Sequence, residues 1–561
     1  RDRSPSRGLG DVYKRQEVYM TNMSEKQAFS TADKEKYLAA RSVERASLEA
    51  KVTWSLIKPA ELKPGDRVLP CIAIYQRKSC GRYKCRLVVL GNREKGTDIE
   101  CFSPTVSSTA TKMTFIEAAS QGMSCSQYDI SVAFVNASLN RRVVVSLPEG
   151  FHDGKGSSLA ILLRALYGLK TSPRDWFMCL RDALMELGWV PCEAEPALFR
   201  KRDKQGRIML HMAYVDDGTI FAHSKEEAEH ERHLVLQKFA GRKEEPTRTD
   251  SDGTEHRVLL GLNIQFNSKK RTVCMLQDQY IVKALERHGL KDAAPTATPG
   301  YYEKGGGKSP DAYPFRAVAG SLMWASTFSR PAISYPVKLL SERLASPGAS
   351  SVTAAKRTLK YLKGTKHHGL IYSPQLEREF NSEDPEEDPE SSGMLRAYCD
   401  SAYADGKDAR STSGNLVFYR GTAVWWRSRA QSLVTLSTCE AEFVSAFEAA
   451  KELVYIRQLS LFIRGLDSGS DCVVPLMCDN QSAIQLATSV LMSTKRTRHF
   501  KTRFYWLREA TRNFVNIKYI NTKFNRADAL TKPLARKVLD FATRRISIDA
   551  YRAHLQKGDS K

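Results

Sequence analysis

The stretch that most narrows what this chain can become runs from Ile208 to Ala222, where two mostly apolar runs flank Tyr214-Val215-Asp216-Asp217-Gly218. Apolar, strand-prone runs broken by an acidic pair and a glycine predict a β-hairpin with two carboxylates at its tip. Adjacent carboxylates repel each other unless a cation lies between them. The tip is therefore either a divalent metal site, whose oxygen ligands suit Mg²⁺, or a solvated turn of ordinary Asp-Gly chemistry. The rest of the chain bears on that choice.

At 561 residues the chain exceeds what one core can organise, and several domains of roughly 100–200 residues are expected. Lys and Arg number 86 against 63 Asp and Glu, a net charge of +23 that favours a polyanionic partner such as nucleic acid. No apolar run reaches the ~18 residues of a membrane span, so no membrane partner is expected. The 12 cysteines, among them Cys71, Cys125, Cys179, Cys274 and Cys399, form no Cys-x-x-Cys pair. That pattern fits a reduced intracellular protein without a disulfide framework or zinc module.

Residues 1–50 are mostly polar and are expected to be a disordered leader. Their first sixteen residues resemble translated adapter sequence and are left out of the fold reading. The chain is expected to be a segment of something longer. Two strands are predicted at Arg67–Tyr75 and Tyr83–Leu90. Lys84 and Arg86 share one face of the second, as side chains alternate with period two. Those two cations either hold a triphosphate or form a solvated strand face. Ser124–Ile130 reads as a strand carrying Asp129 near its end, followed by Phe134. Three carboxylates, Asp129 with Asp216 and Asp217, suit two metal ions roughly 3.5–4 Å apart if the two elements are neighbours. Leu166-Tyr167-Gly168-Leu169-Lys170-Thr171-Ser172-Pro173-Arg174 is a loop running into a helix, with Ser172 as N-cap and Pro173 at its first position. Trp176, Leu180, Ala183, Leu184 and Leu187 make its apolar stripe. Lys170 and Arg174 lie at the entrance, where phosphates bind. Val258–Phe266 reads as one strand, with a helix following through Tyr280–His288.

These motifs, in this order and spacing, resemble the reverse transcriptase of copia-type retrotransposons. The resemblance implies that Asp129, Asp216 and Asp217 are polymerase metal ligands. It implies that Lys84, Arg86 and Tyr214 contribute to nucleotide binding, and that Phe134 lies under the sugar and excludes a ribose 2′-OH. Thr171 stands where the family usually has Gln. Residues 315–324 and 354–365 resemble the family's connection segment, and Lys356, Arg357, Lys360 and Lys363 lie at helical spacing that either faces a duplex backbone or is solvated.

A second acidic constellation follows the acidic run Glu377–Gly393. Asp400 ends a predicted strand. Ser437-Thr438-Cys439-Glu440 forms a capping box at the start of a long helix, which gives Glu440 a structural task and leaves Glu442 as the functional acid. Asp479 ends another strand, with Asn480 capping the next helix, and Asp528 sits on a late helix. Strand-Asp, helix-Glu, strand-end-Asp and helix-Asp resemble ribonuclease H. By that resemblance Asp400, Glu442, Asp479 and Asp528 are catalytic metal ligands. His499 is left unassigned. Around it, Lys495 to Arg512 is basic and interleaved with Phe500, Phe504, Tyr505 and Trp506, which suits a helix with an aromatic and a phosphate-facing side.

The implied fold is α+β: a right-hand polymerase with fingers, palm and thumb and a connection segment, followed by an α/β ribonuclease H-like domain. Expected boundaries are 51–245 for fingers and palm, 246–300 for the thumb, 301–376 for the connection, 377–393 for an acidic linker, 394–535 for ribonuclease H and 536–561 for a C-terminal tail. The implied activity is RNA- and DNA-directed DNA synthesis with degradation of the RNA of the RNA–DNA hybrid. The implied cofactor is Mg²⁺, two ions per site, with Mn²⁺ as a substitute. The implied partners are RNA template, DNA primer, hybrid and dNTPs, with integrase, protease and capsid parts upstream in a polyprotein. The implied location is a cytoplasmic virus-like particle that delivers its product to the nucleus. The alternative is a decayed or repurposed element that binds nucleic acid without polymerising.

Overall fold

A computed structural model of the chain describes residues 22–78, 81–94, 100–152, 158–301, 313–383, 394–467, 473–488, 501–544, 546–548 and 551. The chain divides into two units, residues 1–107 with 125–244, and residues 108–124 with 245–561.

The first unit holds two sheets. One has the order β1 (Trp54–Leu56), β6 (Leu159–Leu162), β5 (Val144–Ser146), β2 (Val68–Arg77) and β3 (Tyr83–Val89). The other has the order β11 (Gly241–Glu244), β4 (Ser124–Ile130), β10 (Asp217–Ala222), β9 (Ile208–Tyr214), β8 (Leu198–Arg202) and β7 (Val190–Pro191). Trp176, Leu180 and Leu184 from the helix Ser172–Glu186 share a core with Tyr128, Ile130, Phe199, Met209 and Ile220 of the second sheet. The helix begins as expected, but its cap is Thr171 rather than Ser172. Ser172 Oγ instead donates back to Leu166 O at 2.7 Å and braces the preceding loop.

The disordered-leader expectation is corrected for residues 24 onward. Glu25–Phe29 and Lys34–Ala50 are helices. Ala28, Tyr37 and Leu48 enter the same core as Tyr75 and Leu87. The apolar positions are too sparse among charged neighbours to announce an amphipathic helix, and buried Glu44 hides the stripe further. Residues 1–21 lie outside those described.

The second unit also holds two sheets. One has the order β12 (Arg248–Thr249), β13 (Glu255–Leu259), β14 (Leu262–Asn267), β15 (Thr272–Leu276), β16 (His368–Tyr372) and β22 (Ile546–Ser547). The single strand expected over Val258–Phe266 is a hairpin. Leu260 and Gly261 both have positive φ (52° and 77°) and turn the chain between paired Leu259 and Leu262. The second sheet has the order β19 (Thr422–Ala430), β18 (Thr412–Tyr419), β17 (Leu395–Ala402), β20 (Val474–Cys478) and β21 (Val515–Tyr519). Its first three strands are antiparallel, while β20 and β21 continue parallel to β17. The helix Thr438–Ile463 packs against this sheet.

Three further boundaries move. The helix Ser108–Ser120, expected within the palm, belongs to the second unit. There Glu117 pairs with Arg420 at 2.9 Å and accepts from Tyr419 Oη at 2.5 Å, while the buried Lys112 ammonium donates to Val424 O at 3.0 Å. The acidic linker is helical up to Ser382, because Leu376 and Phe380 are buried and Glu377 pairs with Arg420 at 2.9 Å. Residues 384–393 lie outside those described. The expected tail begins as the helix Arg536–Thr543, which buries Leu539 and Ala542, and continues into β22 beside β16.

Candidate active sites

In the first unit the hairpin β9–β10 forms as the sequence predicts, but its tip is tighter. Asp217 pairs with Tyr214, so Val215 and Asp216 alone make the turn and Asp217 opens β10. Val215 sits at φ +57°, a costly conformation for a β-branched residue, and Val132, three residues after Asp129, sits at φ +51°. Trp176 Nε1 donates to Val215 O at 2.5 Å and holds the turn. The adjacency that the sequence left open is settled by β4 lying beside β10, with Ile130 N donating to Asp216 O at 2.8 Å. That bond sets Asp129 next to the acidic pair.

Gly218 is needed behind the tip, since a Cβ there would lie 2.0 Å from the Tyr128 ring. Tyr128 Oη in turn meets His211 Nε2 at 2.8 Å in the core. Burial lowers the His211 imidazole to about 3, so the neutral ring is the one in this pair.

Of the remaining first-unit candidates, Lys84 and Arg86 lie on β3 and Tyr214 ends β9. Phe134 and Tyr167 meet edge to face at 4.8 Å, and the Arg86 guanidinium lies 5.4 Å from the Tyr167 ring centre. Tyr167 is placed by backbone pairing, as Val89 N donates to Tyr167 O at 2.8 Å. Gly168 follows at φ +93°, where a Cβ would lie 2.0 Å from Val89 O. Burial, then the Arg86 charge, lowers Lys84 to about 8, while Glu44 and Asp216 act the other way. Tyr214 is pushed up to about 12 by burial and by Asp217 and Asp216. Lys170 and Arg174 are engaged within the protein, Lys170 Nζ donating to Glu94 O at 2.8 Å and Arg174 pairing with Glu100 at 2.7 Å. Thr171 Oγ1 accepts from Arg141 Nη2 at 3.3 Å.

Sequence reading missed Arg242. It stands opposite Asp129 across β4–β11 and pairs with that carboxylate at 2.9 Å. A short polar edge strand carries no signal of this. Among the described residues, Asp129, Asp216 and Asp217 are not one of the groups whose ligand atoms converge within 4.8 Å.

The second unit does contain such groups. Asp400, Asp479 and Asp528 converge within 4.8 Å, and so do Glu442, Cys478 and Asp479. Asp400 lies on the central strand β17, Asp479 directly follows β20, Glu442 is in the first turns of the helix Thr438–Ile463, and Asp528 is on the short helix Arg526–Leu530. Asn525 Nδ2 donates to Cys399 O at 3.0 Å and brings that short helix to β17. Thr531 Oγ1 donates to Asp400 Oδ2, Ser445 Oγ donates to Asp400 O at 2.8 Å, and Ser401 N donates to Glu442 Oε1 at 3.0 Å. Lys532 Nζ lies 2.9 Å from Asp528 Oδ1.

Burial, then the Asp528 charge, raises Asp400 to about 7. Burial, then Asp400, raises Glu442 to about 9. Asp528 also moves up, chiefly through burial. Crowded, mutually destabilised carboxylates, with the buried Glu442 Oε2 lacking a hydrogen-bond partner, fit a divalent cation. Glu440 is occupied elsewhere: its carboxylate accepts from Leu436 N at 2.7 Å while its backbone N–H donates to Ser437 Oγ at 3.2 Å. Asn480 Oδ1 accepts from Ala483 N at 3.0 Å, as its capping role requires. Of the basic helix, Lys501–Asn513 is described and buries Phe504; His499 and the cations before it lie outside the described residues.

The fold is that of a right-hand polymerase and a ribonuclease H-like domain in one chain. The family model described as reverse transcriptase (RNA-dependent DNA polymerase) matches residues 51–301. The retrovirus-related Pol polyprotein from transposon TNT 1-94 of Nicotiana tabacum is 31% identical over 91% of the chain and 38% of its own length. The corresponding polyprotein from transposon RE2 of Arabidopsis thaliana is 30% identical over 88% of the chain and 33% of its own length. A foamy viral protease-reverse transcriptase, solved in complex with double-stranded DNA, shares the fold with a TM-score of 0.50 at 12% identity, over 87% of this chain and 70% of that one. Residues 51–301 thus carry a reverse transcriptase domain, and most of the chain is similar to Pol polyproteins of plant transposons. It spans about a third of the length of the curated relatives it matches. Among the described residues, no helix is long and apolar enough to cross a membrane.

Proposed function

We propose that the chain copies RNA, and then DNA, into DNA at the first site and cuts the RNA strand of the resulting hybrid at the second. The observation that carries the polymerase reading is the Ile130 N to Asp216 O bond, which sets Asp129 beside Asp216 and Asp217 in the family that uses this pattern. Asp129, Asp216 and Asp217 would hold the metal of the first site, and Asp400, Glu442, Asp479 and Asp528 that of the second. Mg²⁺, when bound, supplies Lewis acidity for the attacking oxygen and steadies the leaving one.

The protein's own groups do the rest. Lys84 and Arg86 receive the triphosphate of a dNTP. A Lys84 held near 8 gains its full positive charge as the phosphates approach, which couples binding to proton uptake. Phe134, fixed edge to face by Tyr167, closes the space a ribose 2′-OH would need. In the second site Thr531 and Ser445 orient Asp400, and Ser401 orients Glu442. The high affinity of Asp400 and Glu442 for protons means that they bind metal in exchange for protons.

The test is primer extension on an RNA template by residues 22–561 with Mg²⁺ and dNTPs, beside Asp216→Asn. Extension that vanishes in the variant supports the reading. A folded, hybrid-binding protein that extends nothing would replace it with the decayed element.

A further inference from the structure

The two ligand groups of the second site share Asp479 but differ in chemistry. Asp400, Asp479 and Asp528 offer oxygen alone, whereas Glu442, Cys478 and Asp479 add a sulfur. Mg²⁺ selects oxygen ligands and gains little from a thiolate, while Zn²⁺ readily takes Cys sulfur together with carboxylate oxygen. In a tetrahedral zinc site the ligand atoms stand about 3.3–3.5 Å apart, from Zn–O near 2.0 Å and Zn–S near 2.3 Å. The three atoms already lie within 4.8 Å of one another, so a small closure suffices.

A second observation points to a ligand there. Glu442 is only 7% exposed, and its Oε2 is buried without a hydrogen-bond partner, while Oε1 is held by Ser401 N. An orphaned buried carboxylate oxygen is costly unless something fills its shell. The Cys478 Sγ makes a long contact, 3.9 Å, with Asn480 O and lies against the Cys399 thiol. The neighbouring thiol, Cys399 Sγ, donates to Met477 O at 3.5 Å.

We propose that Cys478, Glu442 and Asp479 form a thiolate-containing site for Zn²⁺, overlapping the oxygen-only group and leaving a fourth coordination position open. Binding releases the Cys478 thiol proton to solvent as the Zn–S bond forms. Zinc held there withdraws Glu442 and Asp479 from Mg²⁺, so it inhibits hybrid cleavage in competition with Mg²⁺. The site rests on the reading of this pocket as a metal centre, but not on the pocket being an active nuclease.

Co²⁺, a spectroscopic stand-in for zinc, is titrated into the full chain. The expected result is a near-ultraviolet thiolate-to-cobalt charge-transfer band that saturates with one ion, is bleached by Zn²⁺, persists in Cys399→Ser and Asp528→Asn, and is lost in Cys478→Ser. No band in the parent protein, or an equal band in a folded Cys478→Ser, overturns the proposal. In parallel, the zinc concentration that halves Mg²⁺-dependent hybrid cleavage should rise at least about tenfold in Cys478→Ser, measured against that variant's own zinc-free rate. An unchanged value also overturns it. A protein that gives the band but cleaves no hybrid loses the nuclease reading and keeps the zinc site.

Discussion

The two carboxylate sites solve one problem in opposite ways. In the second unit the acids are assembled in advance. Three of their carboxylates converge within 4.8 Å and the protons they retain offset the repulsion. In the first unit the acids are half-buried, Asp216 and Asp217 at a strained hairpin tip and Asp129 on the neighbouring strand β4; they do not converge within 4.8 Å, and Asp129 is held by Arg242. Each site carries its own cation against one carboxylate, Arg242 on Asp129 and Lys532 on Asp528. Pre-assembly costs stability and demands burial. A loosely held set costs little in the resting protein and completes its geometry only with its ligands.

The sharpest break of this comparison is reciprocal. Asp216→Asn should lower primer extension at least about 10³-fold and leave hybrid cleavage intact, and Asp400→Asn should do the reverse. If Asp400→Asn in a folded protein also stopped extension, two separate sites would be the wrong description.

Gly218→Ala probes the hairpin without touching a carboxylate. The added methyl meets the Tyr128 ring, which is itself fixed on His211. Overpacking of this kind costs about 1–3 kcal/mol. Extension should fall by one to two orders of magnitude, by roughly the tenfold per 1.4 kcal/mol that such a cost sets. Full activity in this variant would show that the tip is soft and that its placement is not what limits the chemistry.

A pair of glutamates two positions apart tests what pre-assembly means in the second unit. Glu442→Gln should lower cleavage at least about 10²-fold, because it removes a ligand charge. Glu440→Gln should leave cleavage intact and cost about 0.5–1 kcal/mol of stability through its weakened bond to Leu436 N. The opposite ranking, read from rates and melting curves of both variants, would reassign the functional acid.

That same pair shows what the sequence made legible. The Ser-Thr-Cys-Glu pattern marks a helix start and gives Glu440 a task, so local pattern alone singles out Glu442. The Tyr-Val-Asp-Asp hairpin, the strand of Asp129 and the strand of Asp400 are legible for a similar reason: each is written in a few adjacent residues. What stayed hidden is long-range. Arg242 meets Asp129 only because β11 lies beside β4, and Thr531 meets Asp400 across 131 positions. Ser108–Ser120 reads as any buried helix, and nothing local says that Glu117 will meet Arg420. The tail and linker read as polar connectors because their apolar anchors are few and meet partners distant in sequence: Leu539 and Ala542 join a core with Ile281 and Leu322, Leu376 packs with Cys274 and Leu276, and Phe380 meets Phe418. Val258–Phe266 misleads for a different reason. A two-residue turn needs Leu260 in a left-handed conformation, which propensity argues against.

Pre-assembly should also be visible as a dependence of stability on pH. Asp400 and Glu442 take up protons more readily folded than unfolded, with folded values near 7 and 9 against ordinary carboxylate values near 4. Their contribution is therefore complete below about pH 4 and is lost as the pH rises through 7 and then 9. With a chelator present, the second unit should melt at progressively lower temperature from pH 5 to pH 9. Mg²⁺ should restore it, and Asp400→Asn should raise the melting temperature at pH 8 by about 2–4 °C for each kcal/mol of repulsion removed. A melting temperature that is flat over this range with and without Mg²⁺ would mean the carboxylates do not repel one another in solution.

The smallest effect separates the two built-in cations. Arg242 is 60% exposed, and an exposed ion pair is worth about 0.2–1 kcal/mol. Arg242→Ala should therefore release Asp129 cheaply and lower the Mg²⁺ concentration that half-saturates primer extension by at most about fivefold. Lys532 faces a buried group: its charge lowers Asp528 and Asp400, so Lys532→Ala leaves the crowded acids less ionised and should raise, not lower, the Mg²⁺ needed for cleavage near neutral pH. Opposite signs are the signature of a site whose acid must be freed and a site whose acids must be deprotonated. The same sign in both titrations would mean that Arg242 and Lys532 play one role, and that the two sites differ less than their carboxylates do.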